Sequence, residues 1–303
     1  MSLDSIETPS LTRATVAGLG AIALWSSLAA LTVLSGDVPP FQLTAMAFAI
    51  GTLVGVAFAR ARGLSLGVLR DVPLASWALG IYGLLGYHVC YFAALRQAPA
   101  LEASLINYLW PLLIVVFAGF LPRRLDGRPL AAQHVLGAAV AFAGTALILV
   151  QTQRAAGFNG AWTGYLSAVA AALIWSSYSV ASRLFRDVPS TAVTGFCGCT
   201  AMGAALIHLM TETPVWPASM GQWLAIAAMG LGPLGLAFYL WDEGMKHGDM
   251  LRLGLASYAA PLLSTLVLAV SGLGVVSPVL AVAAALVSAG AVIAGRVAKP
   301  AVA

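Results

Sequence analysis

The chain has 303 residues, of which 60% are hydrophobic and only 9% charged, with a formal net charge of +4. A soluble domain carries about 25% charged residues, so this chain cannot cover a water-facing surface and the bilayer must be its solvent. Its basic residues lie scattered in loops rather than gathered in one patch, so the small positive charge does not point to nucleic acid and no such partner is expected.

In chain order, residues 1–11 form a polar tail with Asp4 and Glu7 and no basic cluster. An apolar run long enough to span follows it, which predicts a retained first helix rather than a cleaved signal peptide. A span needs about 20 apolar residues. Ten are predicted, at 12–34, 40–60, 73–95, 99–121, 130–150, 161–183, 190–210, 219–244, 249–270 and 277–297. The breaks are rich in turn formers: Gly36-Asp37-Val38-Pro39-Pro40, Asp126-Gly127-Arg128-Pro129, Asp187-Val188-Pro189-Ser190 and Gly272 to Pro278.

The basic residues orient these spans. With the N-terminus inside, the inner segments hold Arg13, Arg60, Arg62, Arg70, Arg123, Arg124, Arg128, Arg183, Arg186, Lys246, Arg252, Arg296 and Lys299. The outer segments hold only Arg96 and Arg154, so the split is 13 against 2. Positive charge stays on the cytoplasmic side, so both termini are expected there.

The chain also repeats itself. Leu105 to Leu113 (LINYLWPLL) matches Leu255 to Leu263 (LASYAAPLL) at Leu105/Leu255, Tyr108/Tyr258, Pro111/Pro261, Leu112/Leu262 and Leu113/Leu263, an offset of 150 residues. Trp25-Ser26-Ser27 and Trp175-Ser176-Ser177 share that offset. Late in each half the offset falls to 146, with Ala143-Gly144 against Ala289-Gly290, so the loop between fourth and fifth helices is shorter in the second half. The chain reads as a five-helix unit at 12–150, a linker at 151–160, a second unit at 161–297 and a tail at 298–303. An odd number of helices per unit inverts the second unit in the membrane. Inverted repeats carry a site where interrupted helices meet. Pro111 and Pro261, which lack an N–H and clash with the preceding turn, mark those interruptions and are candidate hinges.

Few ionisable groups lie within the spans. Asp242 and Glu243, near the inner end of the eighth span, are expected to be interfacial carboxylates snorkelling beside the loop base Lys246. His88, in Gly86-Tyr87-His88-Val89-Cys90-Tyr91, is the titratable group near a midpoint. It is either a neutral ring bonded to a tyrosine or carbonyl, or a polar donor to a cavity. Aromatic side chains gather at mid-depth. The candidate substrate-binding set is Trp25, Tyr87, His88, Tyr91, Asn107, Tyr108, Trp110, Trp175, Tyr178 and Tyr258. Such walls stack planar groups and attract an ammonium, and Asn107 adds both a donor and an acceptor. No phosphate-cradling GxxxxGK[ST] stretch occurs, and Cys90, Cys197 and Cys199 lie in apolar runs at spacings unsuited to a metal. Neither a metal, a cofactor, nor a catalytic constellation is expected. An enzyme, a pore and a voltage sensor are disfavoured.

The repeated Trp-Ser-Ser, the Gly-Tyr-His-Val-Cys-Tyr run and Asn107-Tyr108-Leu109-Trp110-Pro111-Leu112-Leu113 resemble the EamA-type members of the drug/metabolite transporter superfamily. Within that superfamily the chain is most similar to bacterial exporters of aromatic and other apolar amino acids. The resemblance implies an all-α, basket-shaped integral membrane protein of ten transmembrane helices. It also implies amino-acid export across a bacterial inner membrane by alternating access without ATP, with the protein acting as a monomer. An exporter of drugs (lipophilic cations) or other metabolites on the same fold is the alternative.

Overall fold

A computed structural model describes residues 10–63, 65–125, 131–152, 162–273 and 278–295. Among these the chain is all-helical, with no strand. The helices follow in chain order: α1 (Leu11–Leu34), α2 (Pro40–Ala61), α3 (Leu74–Gln97), α4 (Ala100–Asn107 and Trp110–Ala118), α5 (Ala132–Thr152), α6 (Trp162–Phe185), α7 (Ser190–Thr211), α8 (Met220–His247), α9 (Met250–Val270) and α10 (Pro278–Gly295). Among the described residues, seven helices are long and apolar enough to cross a membrane: α1, α2, α3, α6, α7, α8 and α9; in α5 and α10 the described apolar stretches are Ala132–Leu147 and Ala281–Ala294. Large apolar side chains such as Leu53, Leu166, Leu209 and Val270 face outward, as expected of a surface bathed in lipid rather than water.

The packing repeats along with the sequence. Helix α1 lies along α8 as α6 lies along α3; α4 packs on α6 as α9 packs on α1. The α2–α7, α5–α10 and α4–α9 pairs map onto themselves under the same exchange of halves. In lipid no hydrophobic force drives helix to helix, so close approach through small residues does that work. At the α5–α10 crossing a Cβ on Gly137 would lie 2.4 Å from the Gly290 carbonyl, and one on Gly144 would lie 2.9 Å from the Ala283 carbonyl. These two contacts are images of each other at the 146-residue offset (Gly137 to Ala283, Gly144 to Gly290).

Irregularities recur too. Helix α3 contains a π segment at Tyr82–Gly86 and α8 one at Gly232–Leu236, 150 residues apart although only Leu84/Leu234 match in sequence. Such π bulges leave carbonyls without their usual helical donor and gather at functional sites. Helix α4 breaks at Tyr108–Leu109, and α9 tightens to a 3₁₀ turn at Ser257–Ala259. Each break falls just ahead of its proline rather than at it. Pro111 and Pro261 therefore sit in the first turn of the following segment, where a missing N–H costs nothing. The carbonyls that lose their donors are those of Asn107 and Ser257, four residues earlier. One irregularity is not shared: α1 is interrupted at Ser26–Ser27, whereas α6 runs through the equivalent Ser176–Ser177.

Candidate transport site

The midpoints of α1, α2, α3, α4, α6 and α8 meet in one aromatic cluster. Trp25 packs against Trp175 at 5.5 Å between ring centroids, Trp241 at 5.1 Å and Phe238 at 5.9 Å. Trp110 closes the group edge-on to Trp175 (6.3 Å) and Trp241 (6.0 Å). Tyr178 lies 5.4 Å from Trp175. Tyr87 joins from α3, 5.5 Å from Trp175 and stacked on Tyr91 at 5.7 Å. The helical i,i+4 spacing of Tyr87 and Tyr91 puts them on one face.

Backbone distortion holds this cluster in place. The indole N–H of Trp25 donates to the Pro233 carbonyl (3.0 Å), inside the π segment of α8. The His88 Nδ1–H donates to the Leu84 carbonyl (2.7 Å), inside the π segment of α3. His88 is therefore the carbonyl-bonded ring of the two sequence readings. It is buried edge-on to Phe48 and Tyr87, each at 5.2 Å. The Trp241 indole donates to Ser179 Oγ (3.0 Å).

A polar rim lies on the α3–α4 side. The Asn107 amide nitrogen donates to the Tyr87 hydroxyl (3.2 Å). Tyr91 stacks on Tyr87, and Tyr108 directly follows Asn107 in the chain, so three tyrosines lie on this side. Asn107 is 4% exposed, and its amide oxygen has no hydrogen-bond partner. A buried carbonyl-type oxygen without a donor costs about 1–3 kcal/mol, so this atom is poised to accept from a ligand. Trp25, Tyr87, Tyr91 and Tyr108 are half-buried while Trp110, Trp175 and Tyr178 are buried, so the cluster has an open rim and a closed floor.

Nine of the ten sequence-predicted binding residues thus share one neighbourhood, and Tyr258 does not. Fully buried, it packs 6.4 Å from Phe142 in a separate core that includes Val115 and Val287, with its carbonyl accepting from Thr145 (3.3 Å). Its position as the repeat image of Tyr108 did not carry over into a shared surface. Sequence reasoning left Phe48, Phe238 and Trp241 out of the set. The offset contained a signal for two of them: Phe238 is the image of His88, and Trp241 that of Tyr91, 150 residues on.

Asp242 departs from the sequence expectation. It is 2% exposed and ion-paired with Lys246, itself 3% exposed, at 2.7 Å. Lys246 belongs to α8 rather than a loop, and neither group reaches water. No cluster of three or more His, Cys, Asp or Glu that could hold a metal occurs among the described residues.

Comparisons with known proteins agree with this architecture. The sequence profile of the EamA-like transporter family matches residues 12–150 and again 162–296. The chain is 52% identical over 293 residues to the aromatic amino acid exporter YddG of Ancylobacter novellus, covering 96% of this chain and 99% of that one. It is 26% identical over 275 residues to the protein of the same name from Escherichia coli, covering 85% and 88%. A solved crystal structure with 52% identity superposes with a TM-score of 0.86 over 93% of this chain and 97% of that one. A profile that matches both halves, together with an apolar helical bundle around a buried aromatic cluster, makes this a multi-pass membrane transporter of the EamA-like transporter family.

Proposed function

We propose that the protein exports aromatic and other apolar amino acids from the cytoplasm by alternating access, as a facilitative carrier without ATP. The observation that carries this reading is the unpartnered Asn107 amide oxygen beside a half-open aromatic wall. The wall stacks an aromatic side chain, and the amide oxygen accepts from the substrate ammonium. Hydroxyls of Tyr87, Tyr91 and Tyr108 are at hand to donate to its carboxylate. No Lys or Arg stands in the cluster, which suits a zwitterion better than an anion. Without a fixed charge, affinity is weak, about millimolar, or roughly −4 kcal/mol.

In this reading all ten helices cross the membrane as two inverted five-helix units, 12–150 and 161–297, joined by 151–160, with both termini in the cytoplasm of a bacterium and the monomer as the working unit. The exchange symmetry of the helix pairs and the 13-against-2 distribution of basic residues support it. Names of relatives support the substrate class: two are aromatic amino acid exporters.

Counterflow tests the function. Proteoliposomes loaded with unlabelled phenylalanine, with labelled phenylalanine outside, are expected to accumulate label saturably and without an imposed ion gradient. Absence of accumulation with phenylalanine, threonine and methionine alike, from folded protein, overturns it. The aromatic wall also favours a second reading, export of lipophilic cations through cation–π contact worth about 2 kcal/mol when desolvated. Competition of such a cation against phenylalanine separates the two.

A further inference from the structure

Arg96 and Lys246 are 150 residues apart, and each closes the last turn of its helix, α3 or α8, just before the next helix begins at Ala100 or Met250. They are images of one another in the two halves, at opposite ends of the bundle. Their surroundings differ sharply. Lys246 is buried, paired with Asp242 at 2.7 Å and donating to the Val188 carbonyl of the α6–α7 loop at 2.9 Å. The same end of α8 is gripped by Arg183, whose guanidinium donates to the Met245 and Gly248 carbonyls (2.9 and 2.8 Å). Ser190 donates to Glu243 there as well (3.1 Å). Arg96, by contrast, has a side chain 44% exposed. It is ion-paired with Glu212 at the end of α7 and lies over the Phe41 ring of α2, 5.6 Å from its centroid. The Glu212 side chain is itself buried. It accepts from His208 and from the Phe41 and Gln42 backbone N–H groups at the start of α2 (3.2 and 3.1 Å).

The loop that Lys246 grips also has an image. Asp187-Val188-Pro189 repeats Asp37-Val38-Pro39, between α1 and α2, at the same offset. At the Lys246 end, α8 packs on the last turns of α6, and Trp241, Asp242, Met245, Arg183 and Ser182 are buried. At the Arg96 end, Tyr91, Phe92, Ser104 and Tyr108 are half-buried. One end is shut and its image is open. A buried cation is costly unless fully paired, so Lys246 is held as a lock, while the half-exposed Arg96 is held back against α2 and α7.

We propose that Arg96 and Lys246 are the paired end latches of the transport cycle. Lys246 keeps its end shut through Asp242 and the Val188 carbonyl. Arg96 keeps the opposite end open through Glu212, and when that end closes it moves onto the Val38 carbonyl as Lys246 is released from Val188. This rests on the alternating-access reading but not on the choice of substrate. Both are positioning residues, because neither touches the aromatic cluster.

The test is cysteine accessibility to a membrane-impermeant maleimide, in a background where Cys90, Cys197 and Cys199 are replaced, with reporters Ser182→Cys at the shut end and Ser104→Cys at the open end. Lys246→Met, and the charge-free double variant Asp242→Asn/Lys246→Met, are expected to raise labelling at position 182 and lower it at 104. The expected change is about tenfold, the population shift that 1.4 kcal/mol sets. Glu212→Gln, which keeps an acceptor for the α2 backbone, is expected to lower labelling at 104. Lys246→Arg, which keeps both the charge facing Asp242 and a donor for the Val188 carbonyl, is expected to keep the parent pattern. Protection at 182 unchanged in both neutralised proteins overturns the latch, even if phenylalanine counterflow is intact. Labelling that moves as expected while no amino acid exchanges upholds the latch and overturns the substrate reading.

Discussion

At the scale of single residues, the candidate site combines rings packed against one another with rings whose N–H groups are tied to backbone carbonyls. Trp110 and Trp175 belong to the buried floor, each in ring contact with Trp241. Truncating either to alanine removes stacking area and opens a void beside the other rings, at about 3–5 kcal/mol for a buried Trp. Trp110→Ala and Trp175→Ala are each expected to abolish counterflow while the protein still reaches the membrane, as measured by blotting the membrane fraction. Unchanged transport in both sinks the aromatic site. Trp25 and His88 act differently, since their ring N–H groups are already spent on the Pro233 and Leu84 carbonyls. Polar atoms freed by two π segments are thereby satisfied inside a low-dielectric interior, where an unmet carbonyl is expensive. The sequence marked His88 as unusual because a polar ring stands at the middle of a span. Which of its two readings holds depended on the position of the Leu84 carbonyl, and that follows from a π turn that no residue pattern announces.

At the scale of elements, interruptions decide where helices can bend. Pro111 removes the N–H that would have bonded the Asn107 carbonyl, and α4 opens just before it. Pro111→Ala restores that donor and allows the break to heal. Single-turnover exchange in vesicles is expected to slow more than the apparent affinity for phenylalanine weakens; an unaltered exchange rate counts against a hinge there. The α5–α10 crossing makes a different demand, that of close approach. A Cβ on Gly290 would stand 2.4 Å from the Gly137 carbonyl, so the two helices touch backbone to backbone. Gly290→Leu is expected to cost about 1–3 kcal/mol or more through overpacking, read as a lower melting temperature in detergent with the remaining folded protein still able to exchange. Prolines and the repeated tripeptides made the interruptions in α4 and α9 legible beforehand. The break at Ser26–Ser27 was not legible, because the same Trp-Ser-Ser continues as helix in α6.

At the scale of the whole molecule, asymmetry between two similar halves is the main fact. Images of one position, Arg96 and Lys246, stand in different surroundings, and so do Tyr108 and Tyr258. An inverted arrangement predicts sidedness as well. A single cysteine replacing the exposed Asp37, before α2, is expected to be labelled from outside intact cells by an impermeant maleimide. One replacing Asp187 is expected to be labelled only after the cells are broken. The reverse pattern, or labelling of both from one side, overturns the topology.

Composition determined by itself that the chain lives in lipid, because 9% charged residues cannot face water. Periodic apolar runs placed the helices, since a span length is set by bilayer thickness alone. The internal offset exposed the duplication, and the aromatic residues at mid-depth pointed to most of the side chains that the structure gathers into one cluster. Those are properties of one segment at a time, or of two segments compared. Only the tertiary structure decided which aromatics share a surface, leaving Tyr258 outside and bringing Phe48, Phe238 and Trp241 in. It alone buried Asp242 with Lys246 instead of leaving them at an interface. The reason is physical. Whether a side chain meets lipid, a neighbour or an opening depends on how helices distant in sequence cross, and two halves of one design can cross in two ways.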